Sequence, residues 1–593
     1  MLSINTTSLN ISVFRKFNVW YTIQDGNWSD PNTWLSNGKK IGNSVPRAGD
    51  TVYINHFVTS DVTQTVRDCY VSGTLKLIST AILTINGDLQ ATGTIDQTVG
   101  TSTFILKGYN NYIVNFLPGS SGGTIQYSGV LNQYIMPLTY YHLALTGGLL
   151  NKRIMSQALT INGNLYNNTV LDTQNFTLSV AGISTTSSPV LANRASSTII
   201  SAGNILFTGQ VQNGGGLQFI IQGAASVEMR GGAAAAGLTW TNTNVTFTTN
   251  NQSVNDNFNW DLNNINITGA ITITNTTGGI ITLHGAINGS VAGSTFNNNG
   301  SFSFASTSIS MATGVFNYNN ASGSLIGFIA NGSFNLPYST YENLTVGGTG
   351  LKTLIGNTTV NAKLLVNGSG GNSTNGLDCF NYNLTVTNTT TVSGSCGLLK
   401  SGAGGTLIFI GQVICGGGGG IVTTTGNPTL EFRGGIANGA GVIQAGTGAV
   451  NFTTNNQSID IGGGPSTWSG PVTIGAGLTI TNTSAVSSFI IEGVLNGGSS
   501  TSIFINNGGL IYKNATAPMA TGKLYCNQAT NTFVYGLGNQ DITPPTDPTP
   551  GYKNLTLNGT GVKRLLGNVS VKGTYILTSP ATLDSNGFAL TNP

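Results

Sequence analysis

Residues 269–287 read GAITITNTTGGIITLHGAI, and their pattern decides the fold. Ile271 and Ile273 alternate with threonines, Ile281 and Leu283 flank another threonine, and Asn and Gly residues separate the two runs. A side-chain period of two places one face of each run in a core and the other toward solvent, which is the signature of a strand. Residues 476–495, AGLTITNTSAVSSFIIEGVL, repeat the design. Runs of this kind, broken every six to ten residues by Gly or Asn-Gly, fill the chain, and no 3.6-residue period appears. The reading is all-β.

Three longer segments match one another: YHLALTGGLLNKRIMSQALTINGNL from Tyr141, YENLTVGGTGLKTLIGNTTVNAKLL from Tyr341 and YKNLTLNGTGVKRLLGNVSVKGTYI from Tyr552. A Leu-Asp step recurs at Asp172, Asp378 and Asp584, separated by 206 residues each time (378 − 172 and 584 − 378). Between them NILFTGQV around Phe207 answers TLIFIGQV around Phe409, VEMRGG answers LEFRGG, and TFTTNNQSV before Trp260 answers NFTTNNQSI before Trp468. The spacing predicts repeat units over 141–340 and 341–551 and a truncated third over 552–593. Residues 101–140 resemble the end of a further unit, because IQYSGVLNQYI answers TFVYGLGNQDI.

Repetition with Gly-rich corners and small polar side chains suits parallel coils stacked about 4.8 Å apart. The expectation is an elongated right-handed parallel β-helix with an N-terminal capping module; tandem β-sandwich domains are the competing architecture. Only 7% of the 593 residues are charged, while 39% are hydrophobic and 83 are Gly. That is too apolar for disorder. Like charges at one corner of adjacent coils would lie within about 5 Å of each other, so neutral polar residues relieve the stack of repulsion. At roughly 20–25 residues per coil, the part after residue 100 would form about twenty coils, a rod on the order of 100 Å.

Residues 19–100 differ. They hold seven of the 19 acidic residues and three of the six tryptophans. Trp20, Gly26-Asn27-Trp28, Asp30-Pro31, Trp34, Pro46, Gly49-Asp50 and Gly73-Thr74-Leu75 follow in order. This resembles the G8-type module that opens many large β-helical surface proteins, and the phrase NLTLNGTGVKRLLGNVSVKGTYIL from Asn554 is similar to repeats of surface β-helix proteins of Bacteroidota. The resemblance implies a module that covers the first coil, whose open end would otherwise expose unpaired backbone groups. Trp20, Trp28 and Trp34 then form its core; a carbohydrate-stacking or receptor-contact platform is their alternative role. Residues 1–18 read as a docking arm or a disordered segment.

The composition excludes several functions. A net charge of +3 without a basic run gives no footprint for nucleic acid, and no apolar window is long enough for membrane insertion as a helix. Cys69, Cys379, Cys396, Cys415 and Cys526 are widely spaced and read as buried free thiols. His56, His142 and His284 lie in no triad or zinc pattern. The run from Cys415 through Gly420 lacks the Lys-Ser/Thr of a phosphate loop, and calcium-binding nonapeptides are absent. No catalytic, cofactor or metal site is expected.

Cleavage of a glycosidic bond needs two carboxyl groups about 5–10 Å apart. Twelve acidic residues follow residue 100 (19 − 7). Asp256 with Asp261 and Asp541 with Asp547 are the nearest pairs in sequence. Glu228 with Arg230 and Glu431 with Arg433 share a strand face and read as ion pairs. The recurring Asp172, Asp378 and Asp584 read as turn-making residues that bond their own backbone.

The resulting expectation is a non-enzymatic structural fibre or appendage of a phage virion, acting in host-surface attachment. The N-terminal MLSINTTSLNISVFRKFNVW lacks the pattern of an export signal, which favours assembly in the host cytoplasm and release by lysis. Its partners would be other virion proteins and a host cell-surface glycan or protein, with a homotrimer as the expected assembly. A bacterial cell-surface adhesin is the alternative, and a polysaccharide-degrading tailspike the second.

Overall fold

In the computed structural model the opening stretch forms the strands Thr272–Asn275 and Ile280–Leu283, with Ile273, Ile281 and Leu283 buried. The structure describes residues 17–592 apart from 121, 148–150, 175, 186–196, 202–203, 214–216, 222–225, 236–237, 257–258, 319–320, 338, 369–373, 395–396, 401, 403, 417–420, 425–426, 438–440, 463, 486–488 and 529. The docking arm, apart from Phe17 and Asn18, and Cys396 lie outside the described residues. Strands account for 50% of the protein and helix for 1%, and the parallel strands stack into a β-solenoid of about 22 turns. The tandem-sandwich alternative is thereby set aside: apart from one antiparallel pair at the N-terminal end, the strand pairs among the described residues are parallel and join successive coils. No helix among the described residues is long and apolar enough to cross a membrane.

The chain divides into two compact units, Met1–Ile273 and Thr274–Pro593. In the first, Val19–Thr22, Thr51–Ile54, Asp68–Val71 and Leu89–Asp96 stack in parallel, with Trp20, Val52, Cys69 and Leu89 in one inward column. The outward column next to it is Tyr21, Tyr53, Tyr70 and Gln90. A bulge between Ala91 and Thr94 lets the strand Leu89–Asp96 turn a corner and join two faces in one sheet. The outer edge of Val19–Thr22 is covered by an antiparallel strand, Trp34–Ser36, which follows the 3₁₀ turn Pro31–Thr33. A parallel newcomer cannot dock on an edge already paired in this way.

A second face begins with Gln64–Val66, Ile82–Ile85, Thr103–Leu106, Thr124–Tyr127 and His142–Leu145. Glycines stack at one corner of this unit. A Cβ on Gly182, Gly209 or Gly231 would collide with the backbone of the glycine one coil below, so the close approach of coils excludes every other residue there.

In the second unit three strand columns run side by side. One contains Ser301–Phe304, Leu325–Phe328, Asn343–Gly348, Leu364–Gly368 and Thr390–Gly394. Another contains Phe334–Leu336, Leu351–Leu354, Gly376–Asp378 and Gly397–Lys400. The third contains Thr358–Val360, Leu384–Val386, Thr406–Phe409, Thr429–Phe432 and Val450–Phe452. In-register pairing superimposes like residues: Phe409, Phe432 and Phe452 stack inside with centroids 5.5 and 5.6 Å apart. Each such buried ring contributes about 2–3 kcal/mol.

Candidate functional site

The three N-terminal tryptophans are interior. Trp20 is 3% exposed and Trp28 and Trp34 are fully buried. The Trp20 indole N–H donates to Asp50 Oδ2 at 2.9 Å, the Trp34 N–H donates to the Trp28 carbonyl at 3.0 Å, and the Trp28 and Trp34 rings meet edge to face at 5.0 Å. The receptor-contact role is therefore corrected: a ring that stacks on a sugar must offer an open face, and these offer none.

Of the carboxylate pairs noted for their sequence proximity, Asp541 and Asp547 have different partners. Asp547 accepts the backbone N–H of Cys526 at 2.8 Å, whereas Asp541 is gripped by Arg564 at 2.9 and 3.0 Å. The side chain of Asp256 lies outside the described residues. Among the described residues no group of three or more His, Cys, Asp or Glu is placed to hold a metal ion. His56 Nδ1 meets the Thr22 hydroxyl at 2.9 Å, and His142 Nδ1 accepts the Asn164 N–H at 2.8 Å. Cys69, Cys379, Cys415 and Cys526 are free and buried, and burial pushes the thiols of Cys69 and Cys415 up to about 12.

Other residues singled out in the sequence act within the scaffold. Arg230 and Arg433 bond Glu228 and Glu431 at 2.8 and 2.7 Å, and Thr248 and Thr453 on the next coil add hydroxyl donors at 2.7 Å in each case. Asp172, Asp378 and Asp584 accept the N–H two residues ahead, from Gln174, Phe380 and Asn586. The three N–H donors, Gln174, Phe380 and Asn586, carry positive φ angles of 53°, 45° and 47°. The aspartate bond stabilises a left-handed backbone that these side chains otherwise resist.

Two recurrent devices had a sequence signal that went unread. Of the five Asn-Gln dipeptides in the chain, those at 132–133, 251–252, 456–457 and 539–540 share one role. In each, the Asn Oδ1 accepts a backbone N–H one coil later, from Lys152, Thr272, Thr479 and Val562, at 2.8 Å every time. The Gln turns inward: Gln457 accepts the Gly435 N–H and donates to the carbonyls of Phe432 and Thr453, and Gln252 does the same with Gly232, Met229 and Thr248. Corners are where the strand ladder stops, so backbone groups there need side-chain partners. This clasp supplies them.

The second device is a buried cation. Arg153, Lys352 and Lys563 are fully buried at equivalent places, paired across strands with Gln133, Phe334 and Gln540. Lys352 Nζ donates to the carbonyls of Ala330, Thr349 and Gly350 at 2.8, 2.7 and 3.3 Å. Arg153 reaches Gly129, Leu131 and Thr146, and Lys563 reaches Leu537 and Gly538. Carbonyl dipoles compensate the charge only in part, and burial pushes the Lys352 ammonium down to about 8 and the Arg153 guanidinium down to about 10. A buried tyrosine precedes each cation in the chain, Tyr140, Tyr341 and Tyr552; in the first unit it precedes Tyr141 by one residue. Tyr140 and Tyr552 each bond a second buried tyrosine, Tyr127 at 3.0 Å and Tyr535 at 2.8 Å.

The remaining concavity of note is a cleft of about 420 Å³ whose walls include Asn539, Asp541, Val562, Arg564 and Asp584. It is open, polar and set on three consecutive coils. No protein-family model, curated protein or solved structure matches this chain.

Proposed function

We propose that this chain is a non-enzymatic structural protein of a phage fibre or appendage that acts in attachment to a host cell surface. The observation that supports this reading is the investment in cohesion between coils: Asn-Gln clasps and buried cations recur at equivalent places in successive repeat units, and stacked rings line the interior of the second. A scaffold bonded in this way resists being pulled or frayed coil by coil, which is the demand on an attachment structure. Assembly with other virion proteins and recognition of a surface glycan or protein belong to the same reading, as does a homotrimer.

Mass spectrometry of purified phage particles and of the bacterial envelope tests it. Recovery of the chain in particles supports the virion assignment; recovery only in the envelope replaces it with a cell-surface adhesin. Incubation with capsular or envelope polysaccharide, followed by a reducing-end assay, tests the absence of chemistry. New reducing ends would make the protein a polysaccharide-degrading tailspike.

A further inference from the structure

The repeat units offer an internal control on which surface residues the scaffold requires. Immediately after the buried cation, each unit has an outward position flanked by one residue on the coil below and by the turn-making aspartate on the coil above. In the first unit this column is Tyr134, Ile154 and Asp172, and in the second it is Asn335, Thr353 and Asp378. In the last it is Asp541, Arg564 and Asp584. The aspartate of the turn is common to all three; the charged pair Asp541 and Arg564 is added in one. Folding does not demand it, since the second unit makes the same turn and buries the same cation with Asn335 and Thr353. An exposed ion pair contributes little stability, about 0–1 kcal/mol. The added pair lies in the cleft of about 420 Å³, a volume within the range of small-molecule sites.

We infer that this cleft is a binding site for neutral sugar units of a surface polysaccharide, held through adjacent hydroxyl groups. Arg564 grips Asp541 with Nε and one terminal nitrogen at 2.9 and 3.0 Å, which fixes the guanidinium plane. Its other terminal nitrogen is left to donate. Asp584 uses Oδ1 for the Asn586 N–H and keeps Oδ2 as an acceptor. A fixed donor beside a fixed acceptor, on neighbouring strands about 4.8 Å apart, matches two adjacent hydroxyls that each donate and accept. Val562 and Ala515 supply apolar wall for the C–H face of a ring. Two carboxylates against one guanidinium leave the site with one net negative charge, so uronate and sulfated sugars are disfavoured.

The inference rests on the attachment reading, and the test separates the two. The full chain and the variant D541N/R564T, which installs the pair found in the second unit, are applied to an array of neutral, uronate-containing and sulfated oligosaccharides. Circular dichroism checks that the variant folds. Retention of the wild type on neutral glycans, with at least a tenfold loss in the variant, is the expected result. No retention on neutral glycans, stronger retention on uronates, or equal retention of the variant overturns the inference. Labelled protein is then applied to bacterial cells. Equal adhesion of wild type and variant overturns the cleft and leaves attachment standing, whereas adhesion of neither to any cell counts against attachment itself.

Discussion

Replacing Gln457 by leucine tests whether the corner clasp holds the coils together. The side chain is 7% exposed and makes three hydrogen bonds: from Gly435 N–H at 3.0 Å, to Phe432 O at 2.8 Å and to Thr453 O at 3.1 Å. Each contributes about 1 kcal/mol net, and the apolar replacement returns about 1 kcal/mol through burial. The expected loss is about 2 kcal/mol. In a solenoid the opening is local, so the effect concentrates on the coils that carry the clasp. Hydrogen exchange followed by mass spectrometry should show amides of residues 430–460 exchanging roughly thirtyfold faster. Asn456→Ala removes the single exposed bond to Thr479 N–H and should cost about 0.5–1 kcal/mol, fivefold or less in exchange. Gln252→Leu should reproduce the larger effect in the first unit, because its bonds of 2.9, 2.8 and 3.0 Å are the same three. If Gln457→Leu exchanges no faster than Asn456→Ala, the inward glutamine is filler and the clasp argument fails.

Three further outcomes are expected. Burial lowers the Lys352 ammonium from 10.5 to about 8, so between those values the unfolded chain holds a proton that the folded chain has released. Stability owed to this group therefore rises with pH across that window and is flat below it; comparing denaturation midpoints at about pH 7.5 and 9.5 should show a rise in the wild type that Lys352→Met lacks. Asp378→Ala should destabilise its coil by about 1–2 kcal/mol, because Phe380, at φ 45°, loses the acceptor for its N–H; Asp378→Asn, which retains an acceptor oxygen, should cost less than half of that in the same denaturation experiment. Cys69 and Cys415, with thiols pushed up to about 12, should resist iodoacetamide in the native protein and react once denaturant is added; labelling of either under native conditions would contradict their burial.

The all-β class and the stacking of coils were legible in the sequence because both rest on local, repeated features. Alternation as at Ile271, Ile273, Ile281 and Leu283 follows from the two-residue period of a strand, whatever the strand pairs with. The spacing of Asp172, Asp378 and Asp584 carried their turn role as well, since an aspartate that bonds the N–H two residues ahead needs nothing beyond its own segment. The ion pairs of Glu228 with Arg230 and Glu431 with Arg433 were equally local.

What the tertiary structure decided are contacts between residues roughly twenty positions apart, whose pairing depends on the number of residues in each coil. Arg564 lies between Asp541 and Asp584 because the intervening coils bring those three strands into register, while Asp541 and Asp547, only six residues apart, serve different partners. The tryptophans at 20, 28 and 34 were legible as the core of the N-terminal module, whereas the antiparallel pairing of Trp34–Ser36 with Val19–Thr22 was not. A sequence states which side chains alternate. The register of one coil upon the next decides which of them meet, because each insertion or deletion within a coil shifts every contact above it.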